Sequence, residues 1–283
     1  MQTPRTPSSP GTQQRGATLP DLVQLMDTLL AEDGCPWDRE QTLASLRPFL
    51  VEEAYEVLEA IDENDAAHHR DELGDLLFQI VFQSALRARE GAFGIDDVVA
   101  AIVGKMTFRH PHVFGDERVS DAAEVLVNWD KLKVAERAAR GEVPKQASVL
   151  DGVPLALPAL LRAQRIGEKA AKVGFDWPDA AGVIAKIKEE LVEIEEAVAE
   201  GDPAHIEHEV GDLLLAASRL AAKLGVAPED ALRKATRRFE TRFSVIETQL
   251  AADGRTPAAS TLEEMDQIWE RAKAEEKLRA LKK

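Results

Sequence analysis

From Leu19 onward, apolar residues recur every three to four positions, the spacing of a helix that buries one face. Leu22, Leu25 and Leu29 form one stripe, Phe78, Phe82 and Leu86 a second, and Leu213, Ala217, Leu220 and Leu224 a third. Long alternating β-branched runs, the mark of strands, do not occur. Start signals punctuate the stripes: Pro48, Asp202-Pro203 as N-cap and first-turn proline, Pro228, and Ser260-x-x-Glu263 as a capping box. These features predict an all-α chain of ten helices, over 19–31, 47–63, 66–90, 95–108, 120–140, 158–173, 179–200, 203–224, 228–251 and 260–281. Gly141, Pro144, Gly152, Pro154 and Pro158 mark 141–158 as a linker. It separates a tail over 1–18 and a helical domain over 19–140 from a second helical domain over 159–283.

The two halves repeat one another. Glu53, Glu56, Glu72 and Asp75 recur as Glu190, Glu193, Glu209 and Asp212, each at an offset of 137. Trp129-x-x-x-Lys133 is echoed by Trp269-x-x-x-Lys273, and Lys105-x-x-x-Arg109 by Arg238-x-x-x-Arg242. Such matched spacing points to an internal duplication.

Within each half the acids form an EExxE segment on one helix and an ExxD segment on the next. Residues three apart on a helix leave the same face, so two antiparallel helices can gather four carboxylates. A lone EExxE is ordinarily a solvated face. Here the pattern occurs twice, and Asp75 and Asp212 fall inside the apolar runs Leu73–Phe82 and Val210–Ala217, which predicts packed surroundings for them. A buried unpaired carboxylate is costly, and a metal removes the penalty. Gly74 and Gly211 stand beside the acids and leave room for a helix or ligand to approach. An all-oxygen donor set selects a hard cation, Mg²⁺ with Mn²⁺ as the alternative. A di-iron centre would call for Glu-x-x-His, whereas the i+3 partner is Asp in both halves. His205 and His208 lie one turn upstream of Glu209 and its neighbours and suit a surface or supporting role; His110 and His112 flank Pro111 in an expected turn.

Composition narrows the function further. With 35 Lys and Arg against 51 Asp and Glu, the net charge of −16 disfavours binding to nucleic acid or to an anionic membrane. The single cysteine, Cys35, excludes an intramolecular disulfide framework and cysteine-based metal clusters, and fits a reducing cytoplasm. No run approaches the roughly 18 apolar residues of a membrane span. Met1 to Gly16 is rich in Pro, Ser, Thr and Gln and has no apolar core, so it reads as a disordered tail rather than a secretory signal. It also lacks acidic residues, but it has no amphipathic pattern of the kind a mitochondrial presequence carries.

A metal held by four acids leaves a negative site suited to a polyanion bridged by the metal, and Mg²⁺ keeps positions open for phosphates. Lys105, Arg109 and Lys133 in the first half, and Arg238, Arg242 and Lys273 in the second, are the cations to clamp them. Trp129 and Trp269 offer a ring to a nucleobase or to helix packing. There is no Gly-rich phosphate loop, nucleophile elbow or His–Cys pairing, so metal-activated water is the natural nucleophile, with Glu52 and Glu189 placed to orient or deprotonate it.

At these residues the chain resembles the MazG family of nucleoside triphosphate pyrophosphohydrolases in its two-domain form. The marks are Gly34-Cys35-Pro36-Trp37-Asp38 with Gln41-Thr42, Arg109-His110-Pro111-His112-Val113-Phe114, Val173-Gly174-Phe175-Asp176-Trp177, and the two EExxE/ExxD sets. The resemblance implies helical bundles completed by homodimerisation, and Mg²⁺-dependent hydrolysis of NTPs or dNTPs between the α- and β-phosphates. It implies Glu53, Glu56, Glu72, Asp75, Glu190, Glu193, Glu209 and Asp212 as metal ligands. The phosphate and base contacts it implies are Arg238, Arg242, Trp269 and Lys273, with Lys105, Arg109, Trp129 and Lys133 as first-half equivalents. In such relatives the second half can carry most of the hydrolysis, and Lys105 against Arg238 and the Pro111 break distinguish the first half here. A regulator that holds Mg·NTP without cutting it would use the same carboxylates.

Overall fold

A computed structural model describes residues 17–121 and 148–280, and between them only 124, 125, 128, 129, 132, 135 and 136. The chain divides into two units, Met1–Val143 and Pro144–Lys283. All regular structure among the described residues is helical. The first unit contains α1 (Leu19–Leu29), α2 (Pro36–Glu40), α3 (Arg47–Glu63), α4 (Ala66–Arg89), α5 (Ile95–Arg109) and α6 (Pro111–Phe114). The second contains α7 (Ala159–Lys172), α8 (Ala180–Glu200), α9 (Pro203–Lys223), α10 (Pro228–Ala252), a 3₁₀ turn (Pro257–Ala259) and α11 (Leu262–Ala280). The seven described residues between 122 and 147 are helical. Ser120 and Asp121, where the helix expected over 120–140 would begin, are not helical, and the rest of that helix, with Lys133, and the tail over 1–16 lie outside the described residues.

Each unit is built on a helical hairpin, α3 with α4 and α8 with α9. The hairpins turn in the same way. Asn64 and Gly201 close the first helices in the left-handed region, at φ 55° and 72°. Asp65 and Asp202 follow as N-caps, accepting from the Ala67 and Ala204 amides at 2.9 and 3.0 Å. Helix α1 packs on α4, and α7 on α9.

Met26, Leu30, Leu46, Val81 and Phe82 form the first core, with Leu22, Phe78 and Leu86 packed against it. Leu25, expected in the same stripe, is half exposed. In the second unit Ile246, Leu250 and Ile268 join α10 to α11. Apolar residues on the hairpins remain uncovered within the chain, among them Leu73 and Leu77 and their counterparts Val210 and Leu214.

The last helix starts one residue later than its sequence signal. Thr261, not Ser260, is the cap: its Oγ1 accepts from the Glu264 amide at 3.2 Å, and Glu264 accepts from the Thr261 amide at 2.9 Å. Arg255 fixes this register by a two-pronged pair to Glu264 at 3.0 and 2.8 Å, which holds the Glu264 carboxyl down at about 2.

Candidate active site

The antiparallel hairpins bring the acids together, three in each half. One oxygen each from Glu53, Glu56 and Glu72, and likewise from Glu190, Glu193 and Glu209, lie within 4.8 Å of one another. Asp75 and Asp212 stand beside these triads rather than in them. Asp75 is exposed, not packed as its apolar neighbours suggested, although its charge still reaches Glu53. Asp212 lines a cavity with Glu190 and lies 3.4 Å from His208. Of the eight proposed ligands, the buried ones are instead Glu190 and Glu209. A Cβ on Gly74 or Gly211 would meet nothing within 4 Å, so no neighbour in the chain requires glycine there.

Whether these residues suit a metal can be judged at Glu190. The residue is 3% exposed, and its Oε2 is buried without a hydrogen-bond partner. A buried anionic oxygen with no donor carries a large desolvation cost that a cation removes. Three converging carboxylates, all hard oxygen donors, fit a hard divalent ion.

The two triads differ in how their charge is balanced. In the second, Lys186 reaches Glu189 at 2.6 Å, Glu190 at 3.0 Å and Glu193 at 3.8 Å, and its bonds to Glu189 and Glu190 push its pKa up. Its position in the first half, at the same offset of 137, is Phe49. Without a cation there, burial pushes Glu53 up to about 7, helped by a hydrogen bond with Glu56 and by the charges of Asp75, Glu56 and Glu72. Glu193 is also raised, first by its hydrogen bond to Glu190, but the Lys186 charge opposes the rise. Lys186 stands at i, i+4 from Glu190 on one helix face, the sequence spacing that marks it as a partner of that acid.

A histidine supports one acid in each triad. His68 contacts Glu63 and Glu72, both at 3.0 Å, and His205 contacts Glu200 at 3.0 Å and Glu209 at 3.2 Å. The hydrogen bonds to Glu63 and Glu200 are the leading cause that raises the pKa of each ring.

Beside the second triad lies a cavity of about 330 Å³, lined by Lys186, Glu190 and Asp212 at its acidic side and by Phe175, Trp177 and Arg219 elsewhere. Asp176 pairs with Arg219 at 2.6 Å and Lys223 at 2.7 Å, and although burial opposes it, these bonds hold its carboxyl below the usual range. A Cβ on Gly167 would fall 2.2 Å from the Arg219 guanidinium, so a side chain there would displace Arg219. At the offset of 137, Arg219 replaces Phe82 of the first core. The Gly-Phe-Asp-Trp segment marked these wall residues in the sequence, but the role of Arg219 emerges only from the packing.

Of the proposed phosphate and base contacts, an arginine and a tryptophan pair within each unit. Arg242 pairs with Glu276 at 2.8 Å and lies over Trp269, 5.4 Å from the ring centroid. Arg109 pairs with Glu136 at 2.6 Å and lies 5.8 Å over Trp129. Trp269 packs on the α10–α11 core and on Phe239, a helix-packing role. Trp129 meets His110 edge-on at 5.0 Å. Lys273 pairs with Glu270, Arg238 is exposed one turn before Arg242, and Lys105 lies one turn before Arg109. None of these residues lines the cavity beside the acids. Glu52 and Glu189 are exposed next to their triads, with Glu189 held by Lys186.

Among the described residues, no helix is long and apolar enough to cross a membrane. The family profile described as the MazG nucleotide pyrophosphohydrolase domain matches residues 41–114, and that of phosphoribosyl-ATP pyrophosphohydrolase matches residues 165–239. A nucleoside triphosphate pyrophosphohydrolase of Escherichia coli (strain K12) is 45% identical over 258 residues, 90% of this chain and 97% of that protein. The nucleoside triphosphate pyrophosphohydrolase/pyrophosphatase MazG of Thermotoga maritima is 42% identical, over 92% of this chain and 98% of that protein. A nucleoside triphosphate pyrophosphohydrolase of Mycolicibacterium smegmatis is 39% identical, over 57% of this chain and 48% of that protein. With carboxylate triads repeated in two helical units and relatives matched from end to end, the chain belongs to the MazG family of nucleotide pyrophosphohydrolases.

Proposed function

We propose that the chain hydrolyses nucleoside triphosphates, ribo- or deoxyribo-, to the monophosphate and pyrophosphate with Mg²⁺, in nucleotide-pool housekeeping. The buried, unpartnered Glu190 oxygen within a carboxylate triad is the observation that carries this reading. Glu190, Glu193 and Glu209 would hold the ion, with Asp212 at the margin, and Glu53, Glu56, Glu72 and Asp75 are the first-half set. Bound there, Mg²⁺ supplies Lewis acidity towards phosphoryl oxygens and lowers the pKa of water. Mn²⁺ meets the same donor demands.

The protein's own part is positional and electrostatic. Glu189, released from Lys186, orients the attacking water and accepts its proton as oxygen joins the α-phosphorus and the α–β bridge breaks. Glu52 is its first-half counterpart. Lys186 is then free to neutralise a phosphate oxygen. Arg238, Arg242 and Lys273 meet the departing pyrophosphate. They do not line the cavity within one chain, which accords with a homodimer in which the uncovered apolar faces of α4 and α9 are buried. The second half is the stronger catalyst in this reading, since the first has Phe49 in place of Lys186 and Phe82 in place of Arg219.

The test is incubation of the purified chain with a panel of NTPs and dNTPs plus Mg²⁺, with products resolved by ion-exchange chromatography. Monophosphate and pyrophosphate, lost on chelation with EDTA, are expected. Intact nucleotide with Mg²⁺-dependent binding would assign the chain as a nucleotide-binding regulator. Diphosphate and orthophosphate would place cleavage at the wrong bond for this proposal.

A further inference from the structure

The same three-residue bridge occurs in both halves. Glu63 closes α3, His68 stands in the first turn of α4, and Glu72 lies one turn further on. Glu200, His205 and Glu209 occupy the corresponding places on α8 and α9, each at the offset of 137. In both, Nδ1 meets Oε2 of the helix-terminal glutamate at 3.0 Å. In both, Nε2 meets Oε1 of the triad glutamate, at 3.0 Å for Glu72 and 3.2 Å for Glu209. The three residues between the histidine and the triad glutamate differ between the halves. His69 faces Ile206 in the alignment of the halves, Arg70 faces Glu207, and Asp71 faces His208. His208 touches Asp212, yet nothing equivalent stands in the first half. The repeated histidine is therefore the one that links a triad acid on its own helix to a glutamate across the hairpin turn.

Its geometry suits a positioning role. A glutamate side chain has three rotatable bonds, and its carboxylate must stop in one orientation to serve an ion. The imidazole takes one oxygen of Glu72 or Glu209 and leaves the other to be given to a cation. The ring is itself held from behind by a second carboxylate on the preceding helix. Partners of this kind tune metal sites by fixing the direction of a ligand.

We propose that His68 and His205 are positioning residues that orient the Glu72 and Glu209 carboxylates for the divalent ion, each steadied by Glu63 or Glu200. This rests on the metal-binding reading of the triads. The test uses the full chain and Mn²⁺ alone, with free Mn²⁺ followed by electron paramagnetic resonance. His68→Ala with His205→Ala is expected to raise the Mn²⁺ dissociation constant roughly tenfold, with the melting temperature in EDTA unchanged. Glutamine at both positions, which restores one N–H donor, is expected to recover most of the affinity. Glu63→Gln with Glu200→Gln, which leaves each ring in place but loosely held, should weaken binding less. An unchanged dissociation constant in the alanine variant would overturn the proposal while leaving the triads as metal sites. So would a fall in the EDTA melting temperature matching the lost affinity, with no recovery by glutamine, because that marks a helix clip alone. If the unaltered chain bound no Mn²⁺, the metal reading itself would fail and this proposal with it.

Discussion

The Lys186 ammonium lies 3.0 Å from Glu190, and the residue that occupies its place in the other half is Phe49. One triad thus has an ammonium at this place and the other a phenyl ring. Lys186→Met should therefore leave the buried Glu190 without its partner, destabilising the metal-free protein by about 1–3 kcal/mol. Mg²⁺ should restore part of that loss. Urea unfolding in EDTA and in Mg²⁺ measures both, and equal stability of the two proteins in EDTA would contradict the pairing.

Glu193→Gln should lower hydrolysis at least about 100-fold if the second half does the work, since removing a ligand should exceed the roughly 10–100-fold effect of altering a supporting partner. The helical content by circular dichroism should stay unchanged. Undiminished hydrolysis by a chain that carries both Glu56→Gln and Glu193→Gln would refute the assignment of the triads.

The raised Glu53 carboxyl, at about 7, makes metal binding in the first half pH-dependent. Below that value the folded protein holds a proton that the ion must displace, so Mn²⁺ affinity should rise from pH 6 to 8, by up to about tenfold per unit below 7. Calorimetry in buffers of different ionisation enthalpy, on a chain with Glu190→Gln and Glu209→Gln, should register proton release at pH 6 and little at pH 8. The same group binds its proton more tightly folded than unfolded, so its contribution to metal-free stability is present below about 4.5 and is lost as pH rises through about 7.

At the start of α11, Thr261→Ala should cost about 1 kcal/mol and Ser260→Ala close to nothing, because only Thr261 caps the Glu264 amide. The depressed Glu264 carboxyl gives this helix start an acid limit. Its stabilising effect is present above about 4.5 and is lost as pH falls through about 2, a loss that acid titration of helicity in the two variants would follow.

The long helices and the duplication were legible because each rests on many residues in phase. Helix α3 matches its expected bounds at both ends, and α4 to one residue. Short helices such as Pro36–Glu40 and Pro111–Phe114 leave no periodic trace, since one turn cannot establish a period. Ser260 and Thr261 are followed by Glu263 and Glu264, so two registers satisfy the capping-box pattern in the sequence and Arg255 chooses between them. Six of the eight proposed ligands meet in triads, since i, i+3 spacing fixes which face they share. Arg219 and the contact of His68 with Glu63 were not legible, because each depends on which neighbouring segment the side chain reaches.

In each half the outermost members of the triad, Glu53 and Glu72 or Glu190 and Glu209, are only 19 positions apart, joined by a hairpin with a two-residue turn. Contacts this local demand little loop closure and form early in folding, on a timescale of microseconds to milliseconds. The acids therefore meet as soon as each hairpin closes, and during synthesis the first set can be assembled while the second is still being translated.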